Sequence, residues 1–136
     1  MKKHSPNNEI SPGIIKADIV TAQQSISYFK EHKIKDIKNI AAYHIQQAVE
    51  KLIKIQIYDS SASLDVSKLY THNIEALLAY AESKQIDLIV PDYIRDNALT
   101  ITKWEAGSRY GLGLSIRIDT LEKYFNLVSD WYEEVA

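Results

Sequence analysis

The sequence predicts an all-α protein, an up-and-down antiparallel bundle of four to five helices. Three observations carry that expectation. Apolar residues recur at three- and four-residue spacing over most of the chain, the period of a helix with one buried face. Glycine and proline are sparse and grouped (Pro6, Pro12 and Gly13, then Pro91, then Gly107, Gly111 and Gly113), so long stretches run uninterrupted. The links between periodic stretches are short, which favours antiparallel neighbours. A chain of 136 residues suits one domain with one core. That domain is expected over residues 16–136, with residues 1–15 as a mobile N-terminal tail.

The first helix is expected over residues 16–32, where Ile19, Ala22, Ile26 and Phe29 make one stripe. The second, over residues 37–58, is the clearest. Ala41, Ile45, Ala48, Leu52 and Ile55 follow a seven-residue pattern, and the two alanines admit a close neighbour. A serine-rich link (Asp59, Ser60, Ser61, Ser63) follows. Thr71 is the expected N-cap of a third helix that buries Ile74, Leu77, Leu78 and Ala81. The apolar run at residues 86–90 has no assignable period. Pro91 and Asp92 suit the first turn of a fourth helix, which buries Ile94, Ala98, Ile101 and Trp104 and ends near Gly107. The last helix carries Leu121, Tyr124, Phe125, Val128, Trp131, Tyr132 and Val135, and Asp119 with Glu122 resembles a capping box at its start. Between these two, Leu112, Leu114, Ile116 and Ile118 alternate with Gly113, Ser115 and Arg117, a strand period. That segment is either an ordered loop laid on the bundle or an extended stretch that pairs with something else, its copy in a dimer being one candidate.

Composition removes several function classes. There is no cysteine, hence no disulfide, thiolate metal site or cysteine nucleophile. A net charge of -2 opposes a broad nucleic-acid surface and leaves room only for a local basic patch. No apolar run approaches the ~20 residues that span a membrane, and the basic N-terminus has no apolar stretch behind it, so it does not read as a signal peptide. A cytoplasmic protein is the expectation. His4, His32, His44 and His72 lack partners at the spacing of helical metal sites, and there is no HExxH, so no metal is expected. With no GxSxG, no GxxxxGK[ST] and no complete dinucleotide loop around Gly111 and Gly113, no cofactor is expected either.

Three groups of residues can carry chemistry. His44, Gln47 and Lys51 sit at i, i+3 and i+7 on one flank of the second helix. They can grip a phosphate, a base edge or a partner backbone, or they can hydrogen-bond within the bundle, as half-buried polar groups normally do. His72 follows the expected cap Thr71 and suits a surface position. Arg109 and Tyr110, flanked by glycines, suit a phosphate or a stacked base, or an arginine bonded to a helix C-terminus.

These pieces together resemble a known family. Residues 41–54 (AAYHIQQAVEKLIK), the Thr71-His72-Asn73-Ile74 start and Ser108-Arg109-Tyr110 are similar to the HEPN domain, the higher eukaryotes and prokaryotes nucleotide-binding domain. The resemblance extends from about residue 16 onward. It implies an up-and-down bundle that commonly dimerises, and association with a nucleotide or RNA. It also implies a nucleotidyltransferase-type protein partner, often as a prokaryotic toxin–antitoxin pair. The family's shared polar positions fall on His44, Gln47, Lys51, His72, Arg109 and Tyr110. Ribonuclease members carry Arg-x(4–6)-His. Here no histidine follows Arg95, Arg109 or Arg117, so the motif's proton-transfer group is missing and no catalytic residue is assigned. Proline often follows the Arg-Tyr pair, and here the residue is Gly111. The expectation is a non-catalytic, dimeric binding module for a nucleotidyltransferase-type partner or a nucleotide. The alternative is an RNA-cleaving toxin with a non-standard site built from Arg109, Tyr110 and His44 or His72.

Overall fold

The computed structural model describes residues 10–109 and 115–136, and Arg109 by its backbone alone. Among these residues the regular structure is helical, with no strand. The helices are α1 (Pro12–His32), α2 (Lys35–Asp59), α3 (Ile74–Ser83), α4 (Asp92–Asp96), α5 (Ala98–Arg109) and α6 (Ile118–Val135), with a single 3-10 turn at Val66–Leu69.

The start of α1 differs from expectation. Its N-cap is Ser11, whose hydroxyl accepts the Ile14 N–H at 3.3 Å, and Pro12 opens the helix. A serine before proline supplies the cap and a pre-set first turn, so the helix begins four residues before position 16. Ile10 and Ile15 are both buried in the core.

Lys33 adopts a left-handed conformation (φ 58°), and its N–H bonds to Phe29 O at 2.7 Å. That closes α1 and turns the chain straight into α2. The two helices form an antiparallel hairpin along the seam of Ala41, Ile45, Ala48, Leu52 and Ile55, none more than 1% exposed. α6 runs antiparallel to α1, as the pairs Lys30–Glu122 and Lys16–Glu133 show. α5 runs antiparallel to α2, tied at one end by Ser108, whose hydroxyl donates to Asn39 O at 2.8 Å. The four long helices thus make the bundle, and α3 and α4 occupy the crossover between α2 and α5.

Capping in that crossover is more distributed than the sequence suggests. Asn73, not Thr71, caps α3: its side chain accepts the Ala76 N–H at 3.1 Å. Thr71 accepts the Asn73 N–H one step earlier, and Thr102 of α5 accepts the Ile74 N–H. The expected fourth helix is split at Asn97, whose side-chain amide donates to Tyr93 O at 2.8 Å and competes with the helical ladder. Pro91 is the N-cap of α4 rather than its first residue, and α5 passes through Gly107 to Arg109. Asp119 and Glu122 form no capping box because both lie inside α6, which begins at Ile118 after Arg117. Residues 86–90 are irregular and held from inside. Gln56 exchanges two hydrogen bonds with the Ile89 backbone (2.8 and 2.9 Å), and the Trp131 indole donates to Ile89 O. Of the alternating segment, residues 112–114 lie outside the described residues, 115–117 are irregular and Ile118 is helical.

Aromatic packing closes the side of the bundle formed by α4, α5 and α6. Tyr124 is 2% exposed and meets Trp104 edge-on at 4.9 Å and Tyr93 at 5.0 Å between ring centres. Burial, and then its hydrogen bond with Tyr93, hold the Tyr124 phenol above the usual tyrosine range. An unfolded tyrosine ionises near pH 10 while the folded one stays protonated. Stability is therefore intact below that pH and falls by about 1.4 kcal/mol per unit above it. Tyr124→Phe is expected to flatten the alkaline limb of a stability-versus-pH curve measured by urea unfolding. An unchanged slope above pH 10 would contradict this.

Candidate functional site

Two buried carboxylates organise the polar side of the α1–α2 hairpin. Asp18 projects from α1 at a position that shares the helical spacing of Ile15, Ala22 and Ile26, and is 7% exposed. Its two oxygens divide between α2 residues: Oδ1 lies 2.8 Å from His44 Nδ1, and Oδ2 accepts from Lys51 Nζ at 2.7 Å. The carboxylate oxygen is the acceptor of this contact and the ring N–H at Nδ1 its donor. His44 is also edge-on to Tyr43 at 5.2 Å.

On α2, next to Lys51, Glu50 is 4% exposed and collects more donors. Lys54 donates to Oε1 at 2.7 Å, Gln46 to Oε2 at 3.0 Å and Gln47 to Oε2 at 3.4 Å. His72 Nδ1, from the turn before α3, stands 3.1 Å from Oε2. Gln47 also donates to the Gln46 side-chain oxygen at 2.7 Å, and Gln46 reaches the His72 carbonyl at 3.4 Å. The other ring nitrogen of His72 is 3.6 Å from Glu105 of α5, an ion-pair distance too long for a hydrogen bond. His72 thus joins α2, the start of α3 and α5.

The structure therefore brings His44, Gln47, Lys51 and His72 into one seam. Arg109 ends α5 one helical turn after Glu105, about 6 Å along the axis. Its side chain and all of Tyr110 lie outside the described residues. The sequence reading missed Asp18, Gln46, Glu50 and Glu105. The signal for three of them is a carboxylate at a core position: Asp18 in the α1 stripe, and Glu50 beside Val49 and one turn from Gln46 and Ile53, all buried. Glu105 carries the same signal, one turn after Ile101 and beside Trp104, both buried.

A cleft of about 350 Å³ opens beside the seam, between Ile10, the Gln47, Glu50, Lys51 and Lys54 side chains, and the turn at Tyr70, Thr71 and His72. Both lysines facing it are already bonded to a carboxylate. An incoming phosphate would compete with Asp18 and Glu50 for them and would bring its own charge next to both. Tyr70 stands at the rim, 75% exposed. No group of three or more histidines and carboxylates among the described residues is arranged to hold a metal ion. No described helix is long and apolar enough to cross a membrane.

The model of the HEPN domain family matches the chain over residues 18–135, nearly the whole helical bundle. No curated protein and no solved structure matches it.

Proposed function

The chain belongs to the HEPN domain family, and from that premise we propose that it is a non-catalytic binding module, a dimer that associates with a nucleotidyltransferase-type protein. One observation carries this reading. The family's polar positions that are described in full are each bonded within the chain: His44 and Lys51 to Asp18, Gln47 and His72 to Glu50. Groups committed to buried carboxylates support a rigid scaffold. A site that must take up and release a phosphate needs its cations free. The missing histidine after every arginine points the same way.

Holding a nucleotide is the narrower form of this reading, with the cleft at Lys51, Lys54 and Tyr70 as its place. The charge already present there favours the protein partner. Purification of the tagged chain at native expression level tests the proposal. The expected result is a dimer by light scattering that carries a nucleotidyltransferase-type protein in stoichiometric amount. A monomer that purifies alone would overturn it.

The alternative, RNA cleavage at a non-standard site, has one observation in its favour. His72 lies against Glu105, one turn from Arg109 on the same helix. In this reading the imidazole stands beside the helix that ends at Arg109, without the usual sequence spacing.

A further inference from the structure

The outer face of α1 is left uncovered by the bundle and carries no charge. At the helical turn, Ile14, Ala17, Thr21, Gln24, Ser25 and Tyr28 fall within an arc of about 100°. Ile14, Ala17, Gln24 and Tyr28 are exposed, and Thr21 and Ser25 are half-buried. Lys16, Lys30 and Glu31 lie outside this arc. Asp18, at its edge, is buried and paired with Lys51. The Thr21 hydroxyl donates to Ala17 O at 2.8 Å and is satisfied within the helix. Beyond Tyr28, His32 continues the face with its ring stacked on Tyr28 at 4.2 Å. α6 shows what a face turned only to water carries: its exposed residues Asp119, Lys123, Asn126, Asp130, Glu133 and Glu134 are all charged but Asn126. The α1 face also has two unlike halves. Thr21, Gln24, Ser25 and Tyr28 line a shallow groove of about 230 Å³ with Ile37 of α2. Ile14, 36% exposed, stands about 21 Å along the axis from Tyr28, with Thr21 midway.

We propose that this face binds a second copy of the chain, the two α1 helices lying antiparallel about a two-fold axis at Thr21. The axis sets Ile14 of each copy against Tyr28 and the groove of the other, Ala17 against Ser25, and Thr21 against its own counterpart. Two-fold pairing needs a surface complementary to itself. A projecting Ile14 and a groove on opposite sides of Thr21 supply one. Charge agrees with this pairing. Glu31 is 78% exposed in the last turn of α1, where the negative helix end disfavours it, and its ion-pair contact among the described residues is the neighbouring His32 at 3.8 Å. In the antiparallel pair Glu31 comes level with Ser11 of the other copy, the start of a helix whose first turn holds no acidic residue. Each copy thus brings the negative charge that the other's helix start lacks. A nucleic acid would need cations for its phosphates, and the arc holds neither lysine nor arginine. The proposal rests on the reading of the chain as a dimeric module and names the surface through which it pairs.

The full chain has no cysteine, so a single introduced thiol reports only its own surroundings. Thr21→Cys is expected to cross-link into a dimer with a short bismaleimide. Gln23→Cys, on the flank that faces α6 beside Phe125 and Asn126, is expected not to. A mixture of the Ile14→Cys and Tyr28→Cys chains should give more cross-linked dimer than either chain alone, the signature of an antiparallel pair. Sedimentation velocity over a concentration series reads the same contact without a thiol. Thr21→Arg sets two arginines against each other at the axis and should weaken the dimer at least about tenfold, while circular dichroism checks that its helices are kept. A wild-type chain that stays monomeric, a dimer that Thr21→Arg leaves unchanged, or no cross-link at Thr21→Cys would each overturn the proposal. If the chain is still a dimer in the last two cases, it pairs through another surface and the binding-module reading stands. If the cross-links form as expected and no nucleotidyltransferase-type protein co-purifies, this surface stands and the larger reading falls instead.

Discussion

Glu50→Ala is expected to lower the stability of the folded chain by about 4 kcal/mol, with a fall in Tm on the order of 10 °C. The carboxylate is buried, and four side chains bond to it: Lys54, Gln46, Gln47 and His72. Truncation leaves the Lys54 ammonium, only 12% exposed, without its counter-charge. It also leaves the two glutamine amides short of an acceptor, and each unmet buried group costs about 1–3 kcal/mol. Glu50→Gln keeps the shape and one acceptor oxygen, so it should lose roughly half as much. Urea unfolding of the three chains measures this directly. A loss under about 1 kcal/mol for the alanine variant would mean that the seam opens to water and that its bonds add little.

Asp18→Ala is expected to cost about 3 kcal/mol by the same mechanism. Lys51 loses its carboxylate partner while its side chain is 19% exposed, and His44 loses the acceptor that fixes its ring. The effect should be smaller than at Glu50, because two donors are stranded instead of four and both retain some contact with water. Asp18→Leu combined with Lys51→Met is expected to recover most of the loss, since an apolar pair of similar volume often replaces a buried ion pair at little cost. A double variant as unstable as Asp18→Ala would show that the carboxylate acts through His44, not Lys51.

Much of the fold is legible in the sequence because it depends on one-dimensional pattern. The α2 seam from Ala41 to Ile55 is buried as its spacing demands, and the aromatic face of α6 packs on the core. The departures come from groups whose partners lie far along the chain. Thr102 supplies part of the α3 cap from 28 residues away, and Gln56 holds Ile89 from 33. No local rule anticipates either. Asn97 splits a helix because its side chain finds the Tyr93 carbonyl, a choice that periodicity does not record.

The site was legible in its donors and not in its acceptors. His44, Gln47 and Lys51 stand out as three polar groups on one helical flank. Their partner Asp18 looks like an ordinary acidic residue on a different helix until the hairpin closes. This matters for function. Read alone, the flank suggests a grip for phosphate; with Asp18 and Glu50 in place, its lysines are already bonded.

Incubation of excess protein with labelled single-stranded and structured RNA, with and without magnesium, tests the central claim most directly. That claim is that the family scaffold is kept here while its polar positions serve the bundle and a partner. The account predicts RNA as intact as in buffer alone after prolonged incubation. Cleavage that disappears in both Arg109→Ala and His72→Ala, with each variant still folded, would contradict it and make the non-standard site the function of this chain.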